Sequence, residues 1–211
     1  MAVRAVTGVM TAPRYRTVAG LSFVGAGTVL TLGFVSAAAL YPGYSMADDT
    51  ISALGAAGGT AESTLVFNGA MILAGLLAVL AAYGLYRVYE NAIFSGVLAV
   101  TAVGGYIGVG VFPAQTGFPH FLAAMIAFVG TGVAALVTAA VVRGPFRYLA
   151  GVLGIAELVA LLLFVGLGAA NPLGIGGLER WVAYLGVVWA IAFGGYLLSV
   201  DAETPAWSGL K

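Results

Sequence analysis

Apolar residues run along this chain in six stretches of about 20, separated by polar connections of very unequal length. A helix rising 1.5 Å per residue needs roughly 20 residues to cross hydrocarbon about 30 Å thick. The runs therefore predict membrane-spanning helices near 18–40, 64–86, 92–112, 120–142, 146–168 and 179–199. Barrel strands alternate over about 10 residues, whereas these runs are longer and uniformly apolar. Because lipid offers no partner to open backbone groups, helices are the remaining solution. The expected fold is all-α, a polytopic bundle of six transmembrane helices forming a single integral membrane domain over residues 1–211.

Composition agrees with that pattern. Hydrophobic residues make up 62% of the chain and charged residues 8%, against about 25% charged in soluble domains, and the mean hydropathy is +1.07. The 17 residues before the first span and the 12 after the last are too short to bury a core of their own. Arg4, Arg14, Arg16, Arg87, Arg143, Arg147 and Lys211 fall on one side of the predicted spans, and Arg180 alone on the other. Cytoplasmic connections carry the excess of Lys and Arg, which places a multi-pass protein in the cell membrane with both termini inside. The basic start, first apolar run and Ser36-Ala37-Ala38-Ala39 stretch also have the ingredients of a secretory signal. That run of about 22 residues exceeds the 7–15 of a signal core; cleavage would leave five helices in the same orientation.

With no cysteine in the sequence, disulfides, thiol nucleophiles and thiolate metal centres are excluded. Net charge is zero and no polybasic cluster occurs, so nucleic acid is not an expected partner. No cofactor motif is visible. Glycine, 32 of 211 residues, sits inside the spans as well as between them. Small residues let helix backbones approach in lipid, and Gly104, Gly108, Gly130, Gly132 and Ala134 are read as close-contact positions, either within the bundle or on a dimer face.

Polar side chains collect on the side opposite most of the arginines. The first connection there, Tyr41 to Ser63, is the longest in the chain, the third runs from Phe112 to His120 and the fifth from Asn171 to Arg180. In the first, Asp48 or Asp49 is positioned to cap a short helix, with Ile51 and Leu54 turned toward the bundle and Gly55 ending the turn. The alternative is a carboxylate site for a cation or lipid headgroup. His120, the sole histidine, opens the fourth span as a hydrogen-bonded interfacial residue or as a proton donor or acceptor beside an outward cavity. A three-histidine zinc site is excluded by the count, and no metal site is expected.

Glu157 stands near the middle of the fifth span, sharing a face with Leu153, Gly154, Ala160, Leu161 and Phe164. A charge at that depth costs about 2.5–3.5 kcal/mol on insertion scales, so the residue must face the interior. It is either a proton or ligand site, or a structural acid bonded to Thr101, Tyr106 or Thr131 on another helix. Glu179 and Arg180 open the sixth span beside Trp181 and Tyr184. There the acid complements the helix dipole and the aromatics anchor at the interface. Arg180, basic on the wrong side for topology, calls for a partner: Asp48, Asp49 or a lipid phosphate. Asn68 and Asn171, near the same ends of their helices, complete the cluster.

Taken together, Tyr41-Pro-Gly-Tyr-Ser-Met-Ala-Asp-Asp-Thr-Ile-Ser-Ala-Leu-Gly55, Phe67-Asn-Gly69, Gly110-Val-Phe-Pro113, His120 and Glu179-Arg180 resemble the archaeal and bacterial membrane family called domain of unknown function 998. The resemblance covers nearly the whole chain and implies a multi-pass membrane protein of about this size with no established activity. The acidic, Ile-Ser and Leu-Gly positions of the family's first-connection motif fall on Asp49, Ile51-Ser52 and Leu54-Gly55. Ala53 stands where members often carry a polar or acidic residue, a departure that speaks against metal coordination by this connection.

Two functional readings follow. In the first, a non-enzymatic membrane component uses the outward cluster of Asp48, Asp49, Ser52, Asn68, His120, Glu179 and Arg180 to bind a membrane lipid headgroup, a small ligand or a membrane protein partner. The sequence offers no nucleophile and base at a recognisable spacing, so no residue is assigned as catalytic. In the second, Glu157 serves a small transporter or intramembrane enzyme as its proton site, although residues 18–112 and 120–199 show no clear repeat of the kind many secondary transporters possess.

Overall fold

Six helices, α1 (Ala12–Ala39), α2 (Ala61–Tyr89), α3 (Ala92–Val111), α4 (Phe118–Val141), α5 (Phe146–Leu167) and α6 (Gly174–Ser199), are each long and apolar enough to cross a membrane in the computed structural model, which describes residues 11–199. The fold is all-α, and the chain is a multi-pass membrane protein. Arg4 and Lys211 lie outside the described residues.

Each helix packs on its predecessor and its successor, and α6 closes on α1, so the six form a ring. The outer faces are greasy: Leu65, Ile93 and Leu162 are 74%, 77% and 73% exposed. In water that would be a liability, whereas in lipid it costs nothing, and the ring's polar residues are correspondingly turned inward. Glu157 is 1% and Glu179 3% exposed, with Thr101, Thr131, Thr138 and Ser63 also buried.

Glycine sets how closely the helices meet. A Cβ on Gly105 would lie 2.7 Å from the backbone of Ala127, and one on Gly108 2.9 Å from the Ala123 side chain, which brings α3 hard against α4. Gly132 faces Leu158 at 2.7 Å and Gly154 faces the Gly132 carbonyl at 2.9 Å, so α4 meets α5 in the same way. Of the two uses open to these small residues, the structure shows contact inside the bundle. The first span is likewise an integral stave of the ring, with Ala19 and Ala37 fully buried.

Caps hold the connections at the helix ends. Thr60 accepts from the Ser63 N–H at 3.0 Å to start α2, and its hydroxyl donates to the Leu40 carbonyl at 2.9 Å, tying the end of α1 to the start of α2. At the opposite end of the ring Asn91 Oδ1 accepts from the Phe94 N–H at 2.9 Å, and Glu90 ends α2 with φ of 52°. Pairing of these first-turn N–H groups removes donors that lipid could not satisfy.

Three features depart from the sequence reading. The first helix begins at Ala12, six residues ahead of the predicted start at 18. The sixth helix begins at Gly174, five residues ahead of the predicted start at 179. Pro172, Gly174, Gly176 and Gly177 read as loop, but glycine here serves docking. The Gly176 N–H donates to the Ala47 carbonyl at 2.9 Å, and Cβ atoms on Gly174 and Gly176 would strike the Ala47 and Asp49 carbonyls. In α3, residues Thr101–Ile107 form a π-helical segment. Such a wide turn within an α-helix accommodates an extra residue and re-aims the side chains around it; here it carries Tyr106 to α4.

Gly105→Ala is expected to lower the melting temperature of the detergent-purified protein, at a cost of about 1–3 kcal/mol for overpacking. Gly96→Ala, in the same helix with no atom near its missing Cβ, is expected to leave it unchanged or raise it, since alanine favours helix by up to about 1 kcal/mol.

Candidate functional site

The long first connection does not hang in solvent. It folds back over one end of the ring as a single 3₁₀ turn, Ile51–Gly55, whose Ile51 and Leu54 are 4% and 1% exposed. The expected inward turn of both residues, and the stop at Gly55, are present. The cap is different. Thr50 Oγ1 accepts from the Ala53 N–H at 3.2 Å, while the two aspartates close a separate turn on Ser45. Asp49 accepts from the Ser45 N–H at 2.8 Å and Asp48 from the Ser45 hydroxyl at 2.7 Å. Thr50 wins because its own hydroxyl reaches the third residue of the turn, and Asp49 and Asp48 lie one and two residues too early.

What pins the 3₁₀ turn comes from the far end of the chain. Glu179, in the second turn of α6, accepts from the Ile51 N–H through Oε2 and from the Ser52 hydroxyl through Oε1, the latter at 2.7 Å. A buried carboxylate gains most when its lone pairs meet donors held by the backbone. Glu179 is therefore an internal clamp, not the dipole-complementing interfacial anchor that its assumed place at the helix start suggested.

Arg180 reaches the same connection from the other side. Its Nη1 donates to the carbonyls of Met46 at 2.6 Å, Gly176 at 2.8 Å and Asp49 at 3.2 Å, and its Nη2 to the Tyr44 hydroxyl. The pairing with an Asp48 or Asp49 carboxylate, read from the sequence, is replaced by backbone carbonyls, because the segment Met46–Asp49 wraps around the guanidinium with its carbonyls inward. Tyr44 in turn donates to the Thr50 carbonyl at 2.9 Å. Burial pushes its hydroxyl up to about 12, against the opposing pull of Arg180, so this bond to Thr50 keeps its proton below about pH 10 and weakens only as pH rises toward 12.

The remaining members of the predicted cluster scatter. Asn68 donates to the Gly55 carbonyl at 3.2 Å, securing the end of the 3₁₀ turn to α2. His120 Nδ1 meets the Phe112 carbonyl at 2.8 Å; a carbonyl only accepts, so Nδ1 carries the hydrogen and the ring is committed to closing the third connection. Asn171 is also local, with its side chain donating to the Gly168 carbonyl at 2.7 Å. Asp49, Ser52, Glu179 and Arg180 do come together; Asp48, His120 and Asn171 stand apart. Among the described residues no group of three His, Asp or Glu side chains converges as a metal site would require.

Beneath this latch lies an enclosed cavity of about 40 Å³ on the axis of the ring, lined by residues from all six helices and by Ile51 and Ser52 of the first connection. Its walls are apolar, including Phe34, Phe67 and Met71, apart from Ser52, Tyr106, Glu157 and Glu179. Glu157 faces the interior as its depth requires, but none of the predicted structural partners holds it. The Thr101 hydroxyl donates to Val97 and the Thr131 hydroxyl to Ala127, both at 2.8 Å, and Tyr106 bonds to Thr131 Oγ1 at 2.8 Å. Glu157 Oε2 is left buried with no hydrogen-bond partner among the described residues. Gly186 makes room for it: a Cβ there would sit 3.0 and 3.2 Å from the two carboxyl oxygens.

Sequence reasoning missed Tyr44, the carbonyls of Met46 and Gly176, and the shared cavity. The second tyrosine of the Tyr41-Pro-Gly-Tyr44 string was a usable signal, since an amphipathic ring near a lone arginine is a natural partner. Backbone carbonyls carry no side-chain signature, and a cavity built from all six helices has none either.

Glu179→Ala is expected to destabilise the protein by about 1.5–3 kcal/mol, the value of hydrogen bonds to a charged group, and to speed amide exchange at Ile51 and Ser52. Asp48→Ala, which breaks only an exposed turn, is expected to stay within about 0.5 kcal/mol of the parent. Thermal unfolding and hydrogen exchange by mass spectrometry read both outcomes.

No curated protein and no solved structure matches the chain. A family model described as a protein of unknown function (DUF998) matches residues 8–196. The length of that match, from before α1 to the last turns of α6, makes this chain a member of the DUF998 family of membrane proteins.

Proposed function

We propose that this protein binds and releases a proton at Glu157, within an axial chamber closed by the first connection, and that the chamber serves transport through the membrane. The observation that carries this reading is the unpartnered Oε2 of Glu157, 1% exposed and facing a cavity that also reaches Glu179 and Ser52. An unneutralised charge at that depth costs about 2.5–3.5 kcal/mol, and proteins retain ionisable groups inside the bilayer chiefly where a proton or ligand passes. The paired groups of the latch fit this role as a closure: Glu179 and Arg180 are occupied by the protein's own backbone and side chains. With Arg14, Arg16, Arg87, Arg143 and Arg147 at the opposite end, the latch faces outward and both termini face the cytoplasm.

Infrared difference spectra across a pH titration test the proton site. The expected result is a carboxylic acid C=O band that titrates, shifts in heavy water and is missing in Glu157→Gln. Identical titrations of the parent and Glu157→Gln would dispose of the reading.

A second reading concerns lipid. An open groove of about 560 Å³ runs from Met46 and Arg180 down Trp181, Leu185 and Val188, joining the positive charge of Arg180, whose bonded donors already serve the latch, to an apolar track, which suits an anionic phospholipid drawn there by charge. Trp181, 56% exposed, is a reporter. Bromine-labelled phosphatidylglycerol is expected to quench its fluorescence more than labelled phosphatidylcholine, with the difference lost in Trp181→Phe; equal quenching by both lipids overturns this reading.

A further inference from the structure

The chamber around Glu157 is not the only space on the ring axis. A second enclosed cavity, of about 30 Å³, lies deeper in the bundle, lined by residues that include Thr101, Thr131 and Trp189. The two are separated by a wall of three residues that line both: Leu30, Tyr106 and Val187. Tyr106 is the only one of the three with a polar group, and its hydroxyl is bonded to Thr131 Oγ1 at 2.8 Å. Since the Thr131 hydroxyl already donates to the Ala127 carbonyl, Tyr106 donates in this pair, and a lone pair on its oxygen stays open. Each cavity also holds one buried polar group without a partner among its lining residues: Glu157 Oε2 above, Trp189 Nε1 below.

From this arrangement we infer that the Tyr106–Thr131 hydroxyl pair is a proton relay between two water-holding chambers, carrying protons from the Glu157 side to the Trp189 side of the membrane. This rests on the proposed proton site at Glu157 and adds the route by which its proton leaves. The volumes suffice, because a cavity needs about 10–15 Å³ to accept one water and each chamber exceeds that. Both have polar groups to hold it: Ser52, Tyr106, Glu157 and Glu179 in the upper, Thr101, Tyr106, Thr131 and Trp189 in the lower. Among the described residues no cationic side chain lines either one.

The transfer balances without another reagent. Glu157 gives its proton to water in the upper chamber, and that water gives one to the Tyr106 oxygen. Tyr106 passes its own hydroxyl proton to Thr131 Oγ1, and Thr131, its hydroxyl turned away from the Ala127 carbonyl, releases that hydroxyl's proton to water in the lower chamber. One proton enters and one leaves, and rotation of the two hydroxyls restores the starting bonds. Phe23, which lines the lower chamber, packs with Phe94 and Phe146 around Phe193, their ring centres 5.2, 6.1 and 6.0 Å from that of Phe193. This aromatic cluster is the second closure, as the latch is the first.

The test uses the full chain in liposomes holding a pH-sensitive dye, with proton entry driven by a potassium diffusion potential set by valinomycin. The parent is expected to conduct about a hundredfold faster than Glu157→Gln, the low end of what a positioned proton-transfer group contributes. Tyr106→Phe and Thr131→Val are expected to fall to the Glu157→Gln rate while staying folded, at a cost of one buried hydrogen bond, and keeping the Glu157 infrared band, and Thr131→Ser to retain conduction. Parental conduction in Tyr106→Phe overturns the relay. So does a parent no faster than Glu157→Gln when the Glu157 band still titrates, an outcome that leaves the proton site standing without this route.

Discussion

A carboxylate from the last helix, buried against an N–H and a hydroxyl of the first connection, decides the shape of this protein. Glu179 is 3% exposed, and its two oxygens meet Ile51 and Ser52 across a sequence separation of 128 and 127 residues. The same contact does two things. It satisfies backbone that would otherwise lie unpaired at the mouth of the ring, and it converts a long polar connection into a stopper. Arg180, one residue on, draws in Met46 and Asp49 by their carbonyls, so the first connection is held from both of its flanks.

The ring architecture explains why a stopper is needed at all. Four helices in a bundle fill their own axis with side chains, whereas six in a ring leave a hole that must be filled or enclosed. Here the filling is uneven. Aromatic residues around Phe193 crowd one half, while alanines such as Ala124 and Ala127 leave the other open around Glu157. The glycines that let neighbouring helices touch narrow the circumference without closing the centre. The π-helical segment of α3 then places Tyr106 across the axis, dividing the remaining space in two.

Much of this was legible in the residues because membrane crossing is a one-dimensional constraint. Four of the six predicted spans match their helices to within three residues, the first helix starts six residues early at Ala12, and the inward face of Glu157 followed from its depth alone. The sixth failed at its start because Gly174 to Gly177 read as loop when close approach of the Ala47 and Asp49 carbonyls was the reason for glycine. Candidate site residues fared unevenly for a related cause. Polarity at one end of the spans correctly gathered Ser52, Glu179 and Arg180, but nothing in their spacing distinguished groups that face each other from groups, such as His120 and Asp48, that serve their own turns.

The order in which the staves are made has its own consequence. A ribosome delivers α5 to the insertion machinery before α6 exists, so Glu157 enters hydrocarbon with no Gly186 surface against it and no clamp above it. For that interval the nascent chain exposes its costliest group on the open side of an unfinished barrel of helices. Only a short connection separates Leu167 from Gly174, so a long insertion at that junction would lengthen the interval in which Glu157 lies uncovered and act on biogenesis before it acted on the finished molecule.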